Sequence, residues 1–413
     1  MGRLSGATRG VSLLGALALV VDLALGVFLA PAGAVIGQAV APNASAAAAA
    51  PASPAGSGES LPDVVFDAPL ARGDLGEDIV FETTFRAAEP PRRVELVRGA
   101  VDDAVLDVSF AAFEPTGPDT WRARVVQRGH VAPNTAYRYH FRAVTADGRH
   151  IVGPEGWHRV GDTRFEWRRL SGNDVTVWWY EGDEAFARRA LEVAEEAVGT
   201  ASELFGVTSL RPVDFFIYAD DRAFRQALGP ATRENVGGEA HPSIDTLFGL
   251  IGPHQVDSAW VSELVAHELA HLVFDEATQN PYGYPPRWLN EGLAVHLSRG
   301  IDAGDRDQVA AAARTGSIIP LEGLVSQFPT RPNRFGLAYA ESVSAVDHFV
   351  ARYGNERLRT LLRSLASGQS LDEAFEGSTG EGFEAFEDDW LAAVGAQRGE
   401  PYGPQPAPPG PRS

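Results

Sequence analysis

Two histidines four residues apart, set in an apolar helical stripe, constrain this chain more than any other feature of its sequence. They stand in His267-Glu268-Leu269-Ala270-His271. On a helix, residues at this spacing lie about 40° apart around the axis and about 6 Å apart along it, so both imidazoles project from one face. Trp260, Leu264, His267, His271 and Phe274 recur at steps of four and three, a stripe that buries the pair beside apolar side chains. Buried imidazoles need partners. The pair can grip one cation, or each ring can bond a core carbonyl.

Nineteen residues separate His271 from Glu291. The segment Pro285-Pro286-Arg287-Trp288-Leu289-Asn290-Glu291-Gly292-Leu293-Ala294 carries prolines suited to a helix start. On that helix Glu291 shares its surroundings with Trp288, Ala294 and Val295. A lone carboxylate on such a face is costly. A zinc ion held by His267, His271 and Glu291 removes the difficulty and leaves a fourth position open for water.

With these residues in view, the chain resembles the gluzincin metallopeptidases, and in particular the peptidase MA-like domains of exported bacterial proteins. In those, a helix of the type His267-Glu268-Leu269-Ala270-His271 precedes a segment of the type Trp288-Leu289-Asn290-Glu291-Gly292-Leu293-Ala294. The resemblance covers Phe165 to Leu391. It implies a thermolysin-like α+β domain over residues 163–393 with a helical carboxy-terminal half, and peptide or protein substrates. Glu268 is then the general base, and His267, His271 and Glu291 hold Zn2+. Tyr339, in the predicted helix Leu337 to Tyr353, is where relatives place a second electrophile; a core tyrosine is the other reading. Related folds pair an edge strand with extended substrate, which points to Ile244, Thr246 and Phe248 in the run Ile244 to Leu250. His296, His348, Tyr282 and Tyr284 are further candidates, and Gly237 and Gly238 suit a mobile lip. Two departures stand out. The Gly-x-Met-Glu-Asn segment of gluzincin aminopeptidases is absent, and Val295 replaces the Asp that thermolysin-like members use to orient a ligand histidine.

The rest of the chain frames this domain. Arg3 and Arg9 precede an apolar run from Val11 to Ile36 interrupted by Asp22, and residues 42–60 are almost all Ala, Pro, Gly and Ser. Residues 1–60 therefore read as a signal peptide or membrane anchor plus a tether, placing the protein outside the cell or in its envelope. Over residues 61–162, Ile79, Phe81, Thr83 and Phe85 alternate with their neighbours, as do Tyr137, Tyr139, Phe141 and Ala143. Six or seven short strands suggest a β-sandwich, and residues 133–141 resemble a late strand of immunoglobulin or fibronectin type III modules. His130, His140, His150 and His158 lack ligand spacing there. A Pro-rich tail is expected over residues 394–413.

Composition removes whole chemistries. There is no Lys, so Schiff-base enzymes and P-loop nucleotide sites are excluded, and no Cys, so thiol catalysis and thiolate metal sites are too. A formal charge of −20 repels phosphate backbones and argues against a nucleic-acid partner. The competing function is a non-catalytic envelope binding protein with a structural metal site, which would have no need of Glu268.

Overall fold

A computed structural model describes residues 64–100, 106–230, 237–280 and 283–398. The apolar run and tether expected before residue 61, Tyr282 and the last part of the tail lie outside these residues. No helix among the described residues is long and apolar enough to cross a membrane. The described chain forms two compact units, one ending at Asp162 and one beginning at Thr163.

The first unit is antiparallel throughout. Its strands are β1 (Val65–Phe66), β2 (Leu70–Arg72), β3 (Ile79–Arg86), β4 (Arg93–Ala100), β5 (Asp107–Gly117), β6 (Thr120–Gln127), β7 (Ala136–Val144) and β8 (His150–Arg159). Hydrogen bonding runs β1-β3-β6-β5-β4-β7-β8, with β2 also on β3. Alternation decides which face is inside. Ile79, Phe81 and Phe85 from β3 are fully buried, as are Leu96 and Ala143 from β4 and β7. The two halves face each other, because Phe81 meets Tyr139 edge-on at 4.9 Å between centroids. They are not separate sheets. Residues 107–111 of β5 pair with β4, and residues 112–117 pair with β6, so one bent ribbon makes both layers.

The second unit begins with a mixed sheet of β9 (Arg168–Ser171), β10 (Val175–Trp179), β11 (Val213–Tyr218), β12 (Gly238–His241) and β13 (Thr246–Leu250), in the order β12-β13-β11-β10-β9. The three inner strands are parallel and the two edges antiparallel. Between strands lie α1 (Glu184–Phe205) and α2 (Asp221–Leu228). Asp183 caps α1 by accepting from the Phe186 N–H at 2.9 Å, and Gly206 ends it at φ 77°. Beyond the sheet the chain is helical: α3 (Ala259–Thr278), α4 (Arg287–Ser298), α5 (Ala303–Thr315), α6 (Pro332–Tyr353), α7 (Asn355–Ala366), α8 (Leu371–Thr379) and α9 (Phe383–Ala393).

The position of α3 follows from its composition. Val261, Val265, Leu269 and Leu272 pack with Val177, Phe215 and Leu247 of the sheet, whereas Val273 and Phe274 join the helical core built on Trp288, Phe349 and Trp390. The turns of α3 from His267 to Phe274 are buried on all sides, so the two histidines enter the interior from the middle of the helix. The carboxy-terminal boundary differs from expectation. Val394 and Ala396 pack on the helical core, and Arg398 lies 2.6 Å from the buried Glu387 and 2.8 Å from Asp388. The Pro-rich composition that suggested a tail from residue 394 thus begins only after an apolar and charged anchor.

Candidate metal centre

Helices α3 and α4 meet at three side chains. His267, His271 and Glu291 are 3%, 1% and 0% exposed. Glu291 Oε2 lies 3.6 Å from His267 Nε2 and 3.7 Å from His271 Nε2, and the ligand-capable atoms all fall within 4.8 Å of one another. None of these three atoms has a hydrogen-bond partner. Leaving a buried polar atom unsatisfied costs about 1–3 kcal/mol, and here three such atoms face one point.

A neighbour fixes the direction of the His271 lone pair. His271 Nδ1 is 2.8 Å from Asn290 Oδ1, and an amide oxygen can only accept, so the proton sits on Nδ1 and the Nε2 lone pair points inward. Burial lowers the His271 pKa to about 4 against the pull of Glu291, which keeps the ring neutral. Burial would raise Glu291, but contact with His267 and the charges of His271 and Arg287 hold it below the ordinary carboxylate value. Two imidazoles and one carboxylate form the donor set zinc takes in open sites. At zinc–nitrogen lengths of about 2.0–2.1 Å, tetrahedral ligand atoms sit about 3.4 Å apart, close to the two separations between Glu291 and the histidines. The residues fit the ion.

Glu268 sits one residue along from His267 and is 1% exposed. Its Oε2 accepts from the Ala240 N–H at 2.9 Å, and its Oε1 has no partner. Burial, reinforced by the charges of Glu291 and Glu239, pushes its pKa well above the usual range, and the Ala240 N–H opposes this. Glycine makes the approach of β12 feasible: a Cβ at Gly238 would stand 3.2 Å from Glu268 Cγ. Gly292 does the same for α4. A Cβ there would lie 2.5 Å from the Ser342 carbonyl oxygen of α6, so only glycine lets these two helices touch beside Glu291.

The expected substrate strand is a correction. β13 is internal, held by β12 on one side and β11 on the other. Thr246 and Phe248 are fully buried, and Ile244 belongs to a 3-10 turn over Pro242–Ile244. Thr246 and Phe248 are paired with a strand on each side and Ile244 lies before the strand begins, so the run offers no open edge to a peptide. The edge is β12, and Gly238 is a buried strand residue rather than part of a mobile lip. Tyr339 packs edge-on against Phe328 at 5.1 Å and tilted against Phe335 at 5.1 Å. His296 Nδ1 pairs with Asp347 at 2.6 Å and His348 Nε2 with Asp389 at 2.7 Å, and Tyr284 is exposed. His158 bonds the Gly73 carbonyl at 2.8 Å. Among the described residues one His/Asp/Glu group could hold a metal, and it is this one.

Residues 193–396 match the Peptidase MA superfamily. The uncharacterised protein YhcO of Bacillus subtilis (strain 168) is 18% identical over 233 residues, 54% of this chain and 70% of its own. An M1 zinc metallopeptidase from Deinococcus radiodurans overlaps 84% of this chain and 95% of its own at 14% identity and a TM-score of 0.36. A purple acid phosphatase from yellow lupin (Lupinus luteus) seeds overlaps 37% of this chain at 10% identity and a TM-score of 0.22, and the chain spans only 29% of that protein. His267, Glu268, His271 and Glu291 all lie inside the matched stretch, and over residues 193–396 this chain belongs to the Peptidase MA superfamily.

Proposed function

We propose that the second unit is a zinc-dependent peptidase, with His267, His271 and Glu291 as ligands and Glu268 as general base. The observation that carries this is the convergence of His267 Nε2, His271 Nε2 and Glu291 Oε2, all buried and unpartnered, with the unpartnered Oε1 of Glu268 one residue along the same helix. A purely structural site would have no use for that fourth group.

Zinc bound there would supply an acidified water, with a pKa lowered from about 15.7 to about 7, and a Lewis acid for a carbonyl oxygen. Glu268 does the proton work. Its Oε2 is tied to Ala240, which leaves Oε1 to take a proton from water and hand it to the departing amine nitrogen. Asn290 holds His271 in the tautomer that presents Nε2. An extended peptide would align along the outer edge of β12, where backbone groups alternate toward and away from the sheet. Tyr339 is the candidate partner for the developing oxyanion. On this reading the domain follows a thermolysin-like plan and the first unit an immunoglobulin- or fibronectin-like one. The apolar run from Val11 to Ile36 exports the chain, as a cleaved signal or a retained anchor.

Glu268→Gln tests the assignment. The variant should bind zinc at the parent stoichiometry while hydrolysis of a peptide library falls by roughly two to four orders of magnitude. Undiminished hydrolysis would remove Glu268 from the role of base.

A further inference from the structure

Glu291 offers two oxygens, and the fold treats them differently. Oε2 faces the two imidazoles without a hydrogen bond. Oε1 faces Arg287, one turn earlier on α4, with Nε at 3.3 Å and Nη2 at 3.2 Å. Arg287 is itself held. Its guanidinium lies over the Phe328 ring at 5.0 Å, and its backbone N–H donates to the Val325 carbonyl at 2.7 Å. Phe328 in turn packs against Tyr339. The guanidinium is therefore clamped between an aromatic face and a carboxylate, and its side chain is only 13% exposed.

We infer that Arg287 is a positioning residue that occupies Glu291 Oε1, so that the carboxylate can give a shared cation Oε2 alone. This inference rests on the metal-centre reading above. A carboxylate can bind a cation through one oxygen or both. In a site that must keep a place for water, a second oxygen from Glu291 would compete for that place. Here two donors of the planar guanidinium fork, Nε and Nη2, reach the same oxygen, and the group stays charged at all relevant pH, which makes it a steady competitor for Oε1. The placement has an electrostatic cost, since a cation beside a metal site is repelled by the metal. That cost makes sense if restraint of Oε1 is the gain. Lysine would satisfy the charge but not the planar fork.

The test loads the full chain with Co2+ alone and reads its visible absorption, which reports coordination number and geometry. The parent should show an intense four-coordinate spectrum. In Arg287→Met, which keeps the apolar stem over Phe328, Oε1 is released, and the absorption should fall by about twofold or more as coordination rises. Arg287→Lys should recover part of the parent intensity. A spectrum for Arg287→Met that overlays the parent overturns the inference, as does an Arg287→Lys spectrum identical to that of Arg287→Met. If Arg287→Met does not fold, Phe328→Leu, which loosens the clamp without touching the ligands, should shift the spectrum the same way, and no shift there also overturns it. The metal-centre reading fails separately: the parent would then bind neither Zn2+ nor Co2+, and Glu291→Ala would leave metal content unchanged.

Discussion

At the scale of single residues, a buried carboxyl is a liability that grows with pH, and Glu341 shows the sign. It is fully buried in α6, and both its oxygens accept from the Ile319 N–H, at 3.1 and 3.3 Å. Burial pushes its pKa up to about 8, against the Ile319 bond and the charge of Arg334. The unfolded chain ionises this group near 4.5, the folded chain only near 8. Its contribution is therefore fully present below about pH 4.5 and is lost as the pH rises toward 8. Glu341→Gln keeps an acceptor and cannot ionise. It should exceed the parent in stability at pH 7, by up to about 3 kcal/mol, with the gap closing near pH 5. Urea unfolding at both pH values measures this, and a parent that gains on the variant with rising pH contradicts it. The ligand set was legible in the sequence because cost speaks loudly there: His267, His271 and Glu291 are polar groups at apolar positions. Asn290 and Arg287 were not legible as partners, since a polar residue at the start of a helix has many ordinary explanations. Only the fold shows that Asn290 reaches His271 and that Arg287 divides the two oxygens of Glu291.

At the scale of elements, the contact of α4 with α6 depends on a missing methyl group. Gly292→Ala adds a carbon 2.5 Å from the Ser342 carbonyl oxygen and 2.7 Å from Val346 Cγ2. Alanine gains about 1 kcal/mol in helix propensity. Overpacking costs typically 1–3 kcal/mol, and a backbone carbonyl cannot rotate aside. The variant should melt below the parent and, because Glu291 is the preceding residue, bind zinc more weakly; a melting temperature at or above the parent's would show that α6 gives way freely. Element patterns are unevenly marked in the sequence. The period of two in β3 and β7 located both strands. The run Thr246-Leu247-Phe248-Gly249-Leu250 is apolar almost without interruption, which is the mark of a strand covered on both faces, so its composition already argued against an edge. β12 is four residues long, begins with glycine and has no alternation to detect. β8 reaches Arg159 through Gly153, Pro154 and Gly156, residues that read as a strand end; it tolerates them because it is the last strand of its path and bulges opposite residues 140–142.

At the scale of the molecule, every group identified at the metal centre belongs to the unit that begins at Thr163. A fragment of residues 163–398 should therefore fold and bind one zinc per chain, with an affinity close to that of the full protein. Metal analysis with chelator competition on the isolated fragment checks this; a folded fragment without zinc would mean that the first unit completes the site. The division of labour between a β unit and a mixed unit was visible as a change of period along the sequence, whereas the sharing of β5 by both layers was not, because pairing partners leave no mark on a strand's own alternation.

The anchor at Arg398 bears on where the polypeptide can be trimmed. Glu387 is wholly enclosed, with Oε1 receiving the Leu321 N–H at 2.6 Å and Oε2 beside Arg398. Ending the chain at residue 393 would leave a buried carboxyl without its counter-charge, at a cost in ionising it, and loosen the loop before α6 together with α9. Purification handles and immobilisation tags belong after residue 398, past the last ion pair seen among the described residues.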